Sequence, residues 1–85
     1  MNKVFLIGKV KEKVDFKFYI KSKKISVAKT KVILANKSVV TIKGYDNMAD
    51  YMYQNIKENN VIFIEGKINE NMEVEVIKIY FLDLL

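Results

Sequence analysis

The sequence has no cysteine and no histidine, so it cannot build a disulfide or an ordinary zinc site. The same gap removes the commonest nucleophiles and general bases. There is also no phosphate-cradling glycine motif and no Ser-x-Gly elbow. The carboxylates are scattered, and Glu73 and Glu75 alternate with Val74 and Val76 as the wet side of a strand. An enzyme is therefore not expected, nor a cofactor, nor a bound metal. Arginine is missing as well, since all fifteen basic residues are lysine. Lysine meets phosphate as a point charge, whereas arginine supplies the fork that reads guanine edges, so sequence-specific duplex readout is disfavoured. No apolar run approaches the roughly 18 residues of a membrane span. The stretch MNKVFLIGKVK carries no small-residue cleavage site, which leaves the cytoplasm as the expected compartment.

What is present favours a sheet. Hydrophobic residues make up 51% of the 85 positions, and valine and isoleucine outnumber leucine and alanine. β-branched side chains suit a pleated, half-buried surface. The length allows one small domain over residues 1–85, with a core small enough that association is a common remedy. Charge is uneven: residues 1–31 hold ten lysines against Glu12 and Asp15, and residues 32–85 hold five lysines against eight acids. Such asymmetry points to a polyanion, with phosphate backbones foremost. Lysines that only keep a sheet-rich chain soluble and guard its edges are the alternative.

Alternation organises the chain. Val4, Leu6, Gly8 and Val10 share one face of a first strand, and the pattern resumes at Val14, Phe16, Phe18 and Ile20 against Lys13, Asp15, Lys17 and Tyr19. This is one long bent strand or two short ones. After a polar loop over 21–24, a second strand over 26–34 sets Ala28, Thr30, Val32 and Leu34 against Val27, Lys29, Lys31 and Ile33. Ala35, Asn36 and Lys37 form a tight turn. In the third strand, 38–45, Val40 and Ile42 oppose Val39, Thr41, Lys43 and Tyr45. The period then becomes helical: Asp46 or Asn47 caps a helix to about Lys57, with Met48, Met52 and Ile56 as its apolar stripe and Ala49 and Tyr53 beside it. A fourth strand over 60–68, a turn at 69–71 and a fifth strand over 72–82 complete the chain.

Three strands, a helix and two strands describe a mainly β, five-stranded Greek-key barrel, the OB-fold, with one α-helix between strands 3 and 4. An open five-stranded α+β sheet is the alternative. FLIGKV (5–10) and FIEGKI (63–68) resemble each other, each with an inward glycine and an outward lysine. A barrel strand that bends sharply wants such a glycine, so convergence explains the likeness better than duplication.

The candidate binding surface is basic with an aromatic on it. Lys29, Lys31, Lys43 and Tyr45 lie on the outward faces of the second and third strands, and Lys21, Lys23 and Lys24 lie in the adjoining loop. Lysines can follow phosphates while a ring stacks on unpaired bases. Tyr45 as a strand-to-helix corner filler is the packing alternative. For Phe63 the packing alternative is a strand covered on both sides, as the flanking Ile62 and Ile64 suggest, and Tyr19 fits either role.

MNKVFLIGKV, VTIKGYDNMADYMYQNIKENNVIFIEGKI and VEVIKIYFL resemble bacterial-type single-stranded DNA-binding proteins over nearly the whole chain. The shared features are an opening Asn-Lys-Val strand, an aromatic just before a helix with a small-residue–acid pair (Ala49-Asp50), and a strand ending Glu65-Gly66-Lys67-Ile68. The resemblance implies an OB-fold and sequence-tolerant binding of single-stranded DNA in replication, repair or recombination. RNA is the other candidate polyanion. It also implies a homo-oligomer, either a tetramer or the dimer of the related primosomal replication protein N, with replication proteins as further partners. Tyr45 takes the aromatic position before the helix, and Phe63 that of the Glu-Gly strand. The chain departs from the family at Val39, where a tryptophan is expected, and tryptophan is absent throughout. The loops between strands 2 and 3 and between 4 and 5 are short, and Asp83-Leu84-Leu85 is no acidic tail. These departures imply a shorter footprint and little recruitment of partners. They leave room for a different function, an OB-fold subunit that binds protein within a replication or mobile-element complex.

Overall fold

The structure is a computed structural model that describes residues 3–20 and 24–82. Its elements run β1 (Lys3–Val10), β2 (Asp15–Ile20), β3 (Lys24–Leu34), β4 (Val39–Tyr45), α1 (Asn47–Asn55), β5 (Val61–Ile68) and β6 (Val74–Phe81). The sheet order is β1-β5-β6-β4-β3-β2, and β1 also pairs with β3. That extra pairing, Gly8–Leu34 through Val10–Val32, closes β1, β5, β6, β4 and β3 into a five-stranded barrel. A parallel pairing of Ile42 with Val74 and Lys43 with Glu75 joins β4 to β6. The fold is the OB barrel, with its helix between the third and fourth strands of that count.

The opening strand divides in two. The chain bends between Val10 and Asp15, and Thr30 Oγ1 donates a 2.7 Å hydrogen bond to the Glu12 carbonyl, which ties the bend to β3. β1 then covers the second half of β3 while β2 pairs with its first half, from Asp15–Lys29 to Ile20–Lys24. Beyond the barrel, β2 and the start of β3 form an arm on which Phe18 and Ile20 are exposed. Alternation alone placed these two inward; both lie past Phe16, where β2 meets Tyr53 of the helix, and among the described residues they stay exposed.

Inside the barrel lie Val10, Val32, Ile42, Ile62 and Ile64, all fully buried. Each contributes about 1.5–3 kcal/mol relative to exposure. Helix α1 seats Ala49 and Met52 in that core, with Met48 half-buried, and Ile56 joins them just past its end. Tyr53 stays largely exposed, its ring 4.9 Å from that of Phe16. The helix is two residues shorter than its periodicity implies, because Ile56 turns extended and donates its N–H to the Met52 carbonyl. Asp46 precedes the helix at φ 53° and makes no side-chain cap hydrogen bond. The β3–β4 turn likewise puts its positive φ on Lys37, at 73°, while the Asn36 side chain accepts from the Ser38 N–H.

The inward glycines have different neighbours. A Cβ on Gly66 would lie 2.5 Å from the Glu75 carbonyl oxygen and 2.6 Å from a Val74 methyl. None of the three glycines has positive φ, so the requirement at Gly66 is space between two backbones and not conformational freedom. The register slips here: Gly66 pairs with Val76 and Glu65 with Lys78, leaving Ile77 as a β-bulge. The slip inverts the phase of β6, so Val74 and Val76 face inward before it and Ile79 and Phe81 after it.

Candidate nucleic-acid interface

The outer faces of β2, β3 and β4 form one surface. In register, Asp15 sits opposite Lys29 and Lys29 opposite Lys43; in the next row Lys17 meets Val27 and Val27 meets Tyr45. With Tyr19 they line a groove of about 190 Å³. Tyr19 is 47% exposed and Tyr45 38%, so a ring is accessible on each of the strands that flank β3. The Lys43 ammonium lies 6.0 Å from the centre of the Tyr45 ring.

Glu73 enters this surface from just before β6. Its carboxylate is 3.3 Å from Lys43 Nζ and 3.4 Å from Lys29 Nζ, and its side chain is only 13% exposed. Asn69 fixes it: Nδ2 donates to Glu73 Oε1 at 3.1 Å and to Glu75 Oε2 at 3.2 Å, while Oδ1 accepts the Glu73 N–H at 3.0 Å. The Asn69 amide is the strongest influence on the Glu73 carboxyl. Together with Lys43 and Lys29 it outweighs desolvation and holds the carboxyl below its usual range. At Lys43 partial burial pushes the ammonium down, but the hydrogen bond to Glu73 and the neighbouring Tyr45 outweigh it and leave its pKa raised. Both groups stay charged at neutral pH. Glu73 is thus an engaged, mostly buried carboxylate, where alternation had put it on the wet side of a strand.

The structure brings together Tyr45, Lys43 and Lys29, with Lys31 one row further along β3 opposite Thr41. It adds Tyr19 and Lys17, whose place opposite β3 depends on a hairpin register that composition does not reveal. Lys24 pairs with Ile20 on the other face of the arm, and Lys23 lies outside the described residues. Phe63 is not in the groove. It stands in register with Ile7 and Tyr80, its ring 6.0 Å from that of Phe5 and 5.9 Å from that of Tyr80. The result is an aromatic row across β1, β5 and β6. Phe5 (58%) and Tyr80 (50%) are well exposed, and Phe63 is half-buried between them.

No protein-family model matches the sequence, and no curated protein matches it either. Solved structures do. The single-stranded DNA-binding (SSB) domain of a Synechococcus sp. protein superposes with a TM-score of 0.81 at 21% identity, over 94% of each chain. The single-stranded DNA-binding protein of Thermus aquaticus gives 0.82 at 13% identity, over 96% of this chain and 40% of the Thermus chain. The small single-stranded DNA-binding protein of Streptomyces coelicolor gives 0.67 at 10% identity, over 98% and 96%. At these identities the likeness is one of fold. The resemblance in MNKVFLIGKV and FIEGKI therefore extends to three dimensions, and the chain has the OB-fold architecture found in bacterial single-stranded DNA-binding proteins.

Proposed function

We propose that this protein binds single-stranded DNA with little regard to sequence, through the groove across β2, β3 and β4. One observation carries this: two exposed tyrosines and three lysines share a single concave surface on the barrel face that OB-folds use for oligonucleotides. Tyr19 and Tyr45 are the stacking platforms, Lys17, Lys29 and Lys43 follow the phosphates, and Lys31 extends the path. The protein is a binding module in replication, repair or recombination rather than an enzyme, and acts in the cytoplasm. Among the described residues no helix is long and apolar enough to cross a membrane.

Association into a homo-oligomer completes the proposal. Lys3–Ile7 of β1 has β5 on one side and, among the described residues, no strand on the other. The exposed Phe5–Phe63–Tyr80 row lies on the same part of the barrel. Apolar surface beside an unpaired strand edge suits a second copy. The row equally favours a second function, an OB-fold subunit that meets another protein of a replication complex.

Titration of labelled oligo-dT at several salt concentrations tests the first function, with poly-U and duplex DNA as competitors. Single-strand preference with affinity falling steeply with salt is expected. Absence of binding at low salt, together with capture of a defined replication protein, would select the second.

A further inference from the structure

Of the three lysines in the groove, Lys17 has only a loose, exposed contact with Asp15 at 3.9 Å, whereas Lys29 and Lys43 already hold a mostly buried anion. The Glu73 carboxylate bridges their ammonium groups at 3.4 and 3.3 Å. That is where a phosphate of a bound strand would sit if the same two lysines took it. Asn69 holds the carboxylate in place through its side-chain amide and anchors the Glu73 backbone as well, so the acid does not simply swing away. Resting on the single-strand function proposed above, we infer that Glu73 is an internal competitor of phosphate, which weakens the central part of the groove and sets how much of the strand's charge the protein neutralises.

Two consequences follow from the geometry. A phosphate approaching Lys29 and Lys43 meets a like charge within a few ångströms, a repulsion that remains appreciable near a protein surface. The lysines also release fewer counterions on binding than free lysines would, because each already shares Glu73. Bases must then be held mainly by Tyr19 and Tyr45, and phosphates by Lys31 and by Lys17, whose contact with Asp15 is long and exposed and so competes less than Glu73 does. Discrimination shifts from charge towards stacking, so single strands are favoured over duplexes, whose bases are not free to stack.

The test is E73Q, which keeps the shape and an acceptor for Asn69 while removing the charge. Oligo-dT affinity at low salt should rise about tenfold, and the slope of log K against log salt should steepen by about 0.7 for each phosphate the freed lysines take up. The gain should vanish in a K29Q/K43Q background. E58Q changes net charge equally outside the groove and should leave affinity nearly unaltered. Unchanged or weaker binding by E73Q, or an equal gain in E58Q, overturns the competitor role. Thermal melts verify that E73Q is folded. A second readout needs no variant: on addition of oligo-dT to the unaltered protein, the Glu73 side-chain carboxyl carbon resonance should shift as its lysines turn to phosphate, and a static resonance overturns the inference. Binding by the unaltered protein without any gain in E73Q refutes the role of Glu73 alone. Failure of both proteins to bind refutes single-strand binding itself.

Discussion

The Cα of Gly66 faces the carbonyl oxygen of Glu75 so closely that a methyl group between them would lie 2.5 Å from that oxygen. The obstruction is backbone on the neighbouring strand, at the point where the β5–β6 register slips. Gly8 is less constrained: its nearest backbone atom, the Ile33 carbonyl oxygen, would be 3.0 Å from an added Cβ, and the next two atoms belong to side chains at 3.2 Å. G66A should therefore destabilise the fold by about 1–3 kcal/mol, the usual cost of overpacking, and G8A by less. Urea unfolding of both variants checks the order; equal costs would mean that β6 yields as easily as β3.

Tyr19 and Tyr45 make a separate prediction about binding. Each ring is partly exposed on the groove, so Y19A or Y45A should cost about 1–3 kcal/mol of oligo-dT affinity if the ring stacks on a base. Y19F and Y45F should retain most of it, since stacking uses the ring and not the hydroxyl. Tyr19 stands on the arm beyond the barrel, so Y19A should leave thermal stability nearly unchanged. Fluorescence titration with an oligo-dT probe decides between stacking and packing: Y45A with full affinity and a lowered melting temperature would return Tyr45 to the role of a corner filler.

Glu73 also predicts a pH dependence of stability. Its folded pKa lies below the ordinary glutamate value because Asn69, Lys43 and Lys29 favour the charged form. A depressed carboxyl pKa contributes stability that is present above the unfolded value and is lost as pH falls through the folded one. E73Q should thus be less stable than the unaltered chain at neutral pH, and the gap should close as pH falls from the mid-fours downward. Urea midpoints measured at neutral and at acidic pH test this. A gap that is constant across the range would show that the bridge to the two lysines contributes nothing through charge.

The strand phases, the inward glycines and the helix stripe were legible because the faces of a barrel impose a period of two and the helix one near four. Gly8, Gly66, Ala49 and Met52 all sit where that periodicity placed them. Pairing between distant segments was not legible. Val76 and Ile77 are both β-branched, so nothing local marks Ile77 as the bulge that inverts the phase of β6. Lys24 fell on the far face of the arm because its side depends on the β2–β3 register. Glu73 reaches Lys43 from thirty positions further along the chain, across a parallel strand contact. Phe63 resembled a base-stacking ring by sequence, yet its neighbours in register, Ile7 and Tyr80, draw it into the aromatic row.

That row leads to the last prediction. Phe63 is in ring contact with Phe5 on one side and Tyr80 on the other, and these two outer rings are 58% and 50% exposed. An isolated exposed aromatic needs no explanation, but three in contact beside the exposed Ile7 and Ile77 form a patch of the kind that protein interfaces cover. If the partner is a second copy, F5E and Y80E place charge in the covered surface and should convert the oligomer to a monomer. Neither ring belongs to the barrel interior, so the melting temperature of the monomeric form should fall only by as much as lost association accounts for. Light scattering on the unaltered chain and both variants gives the answer. An unchanged mass in F5E and Y80E would remove the row from the self-association surface. Oligo-dT binding retained by a monomeric Y80E would show that the Tyr19–Tyr45 groove is complete within one chain.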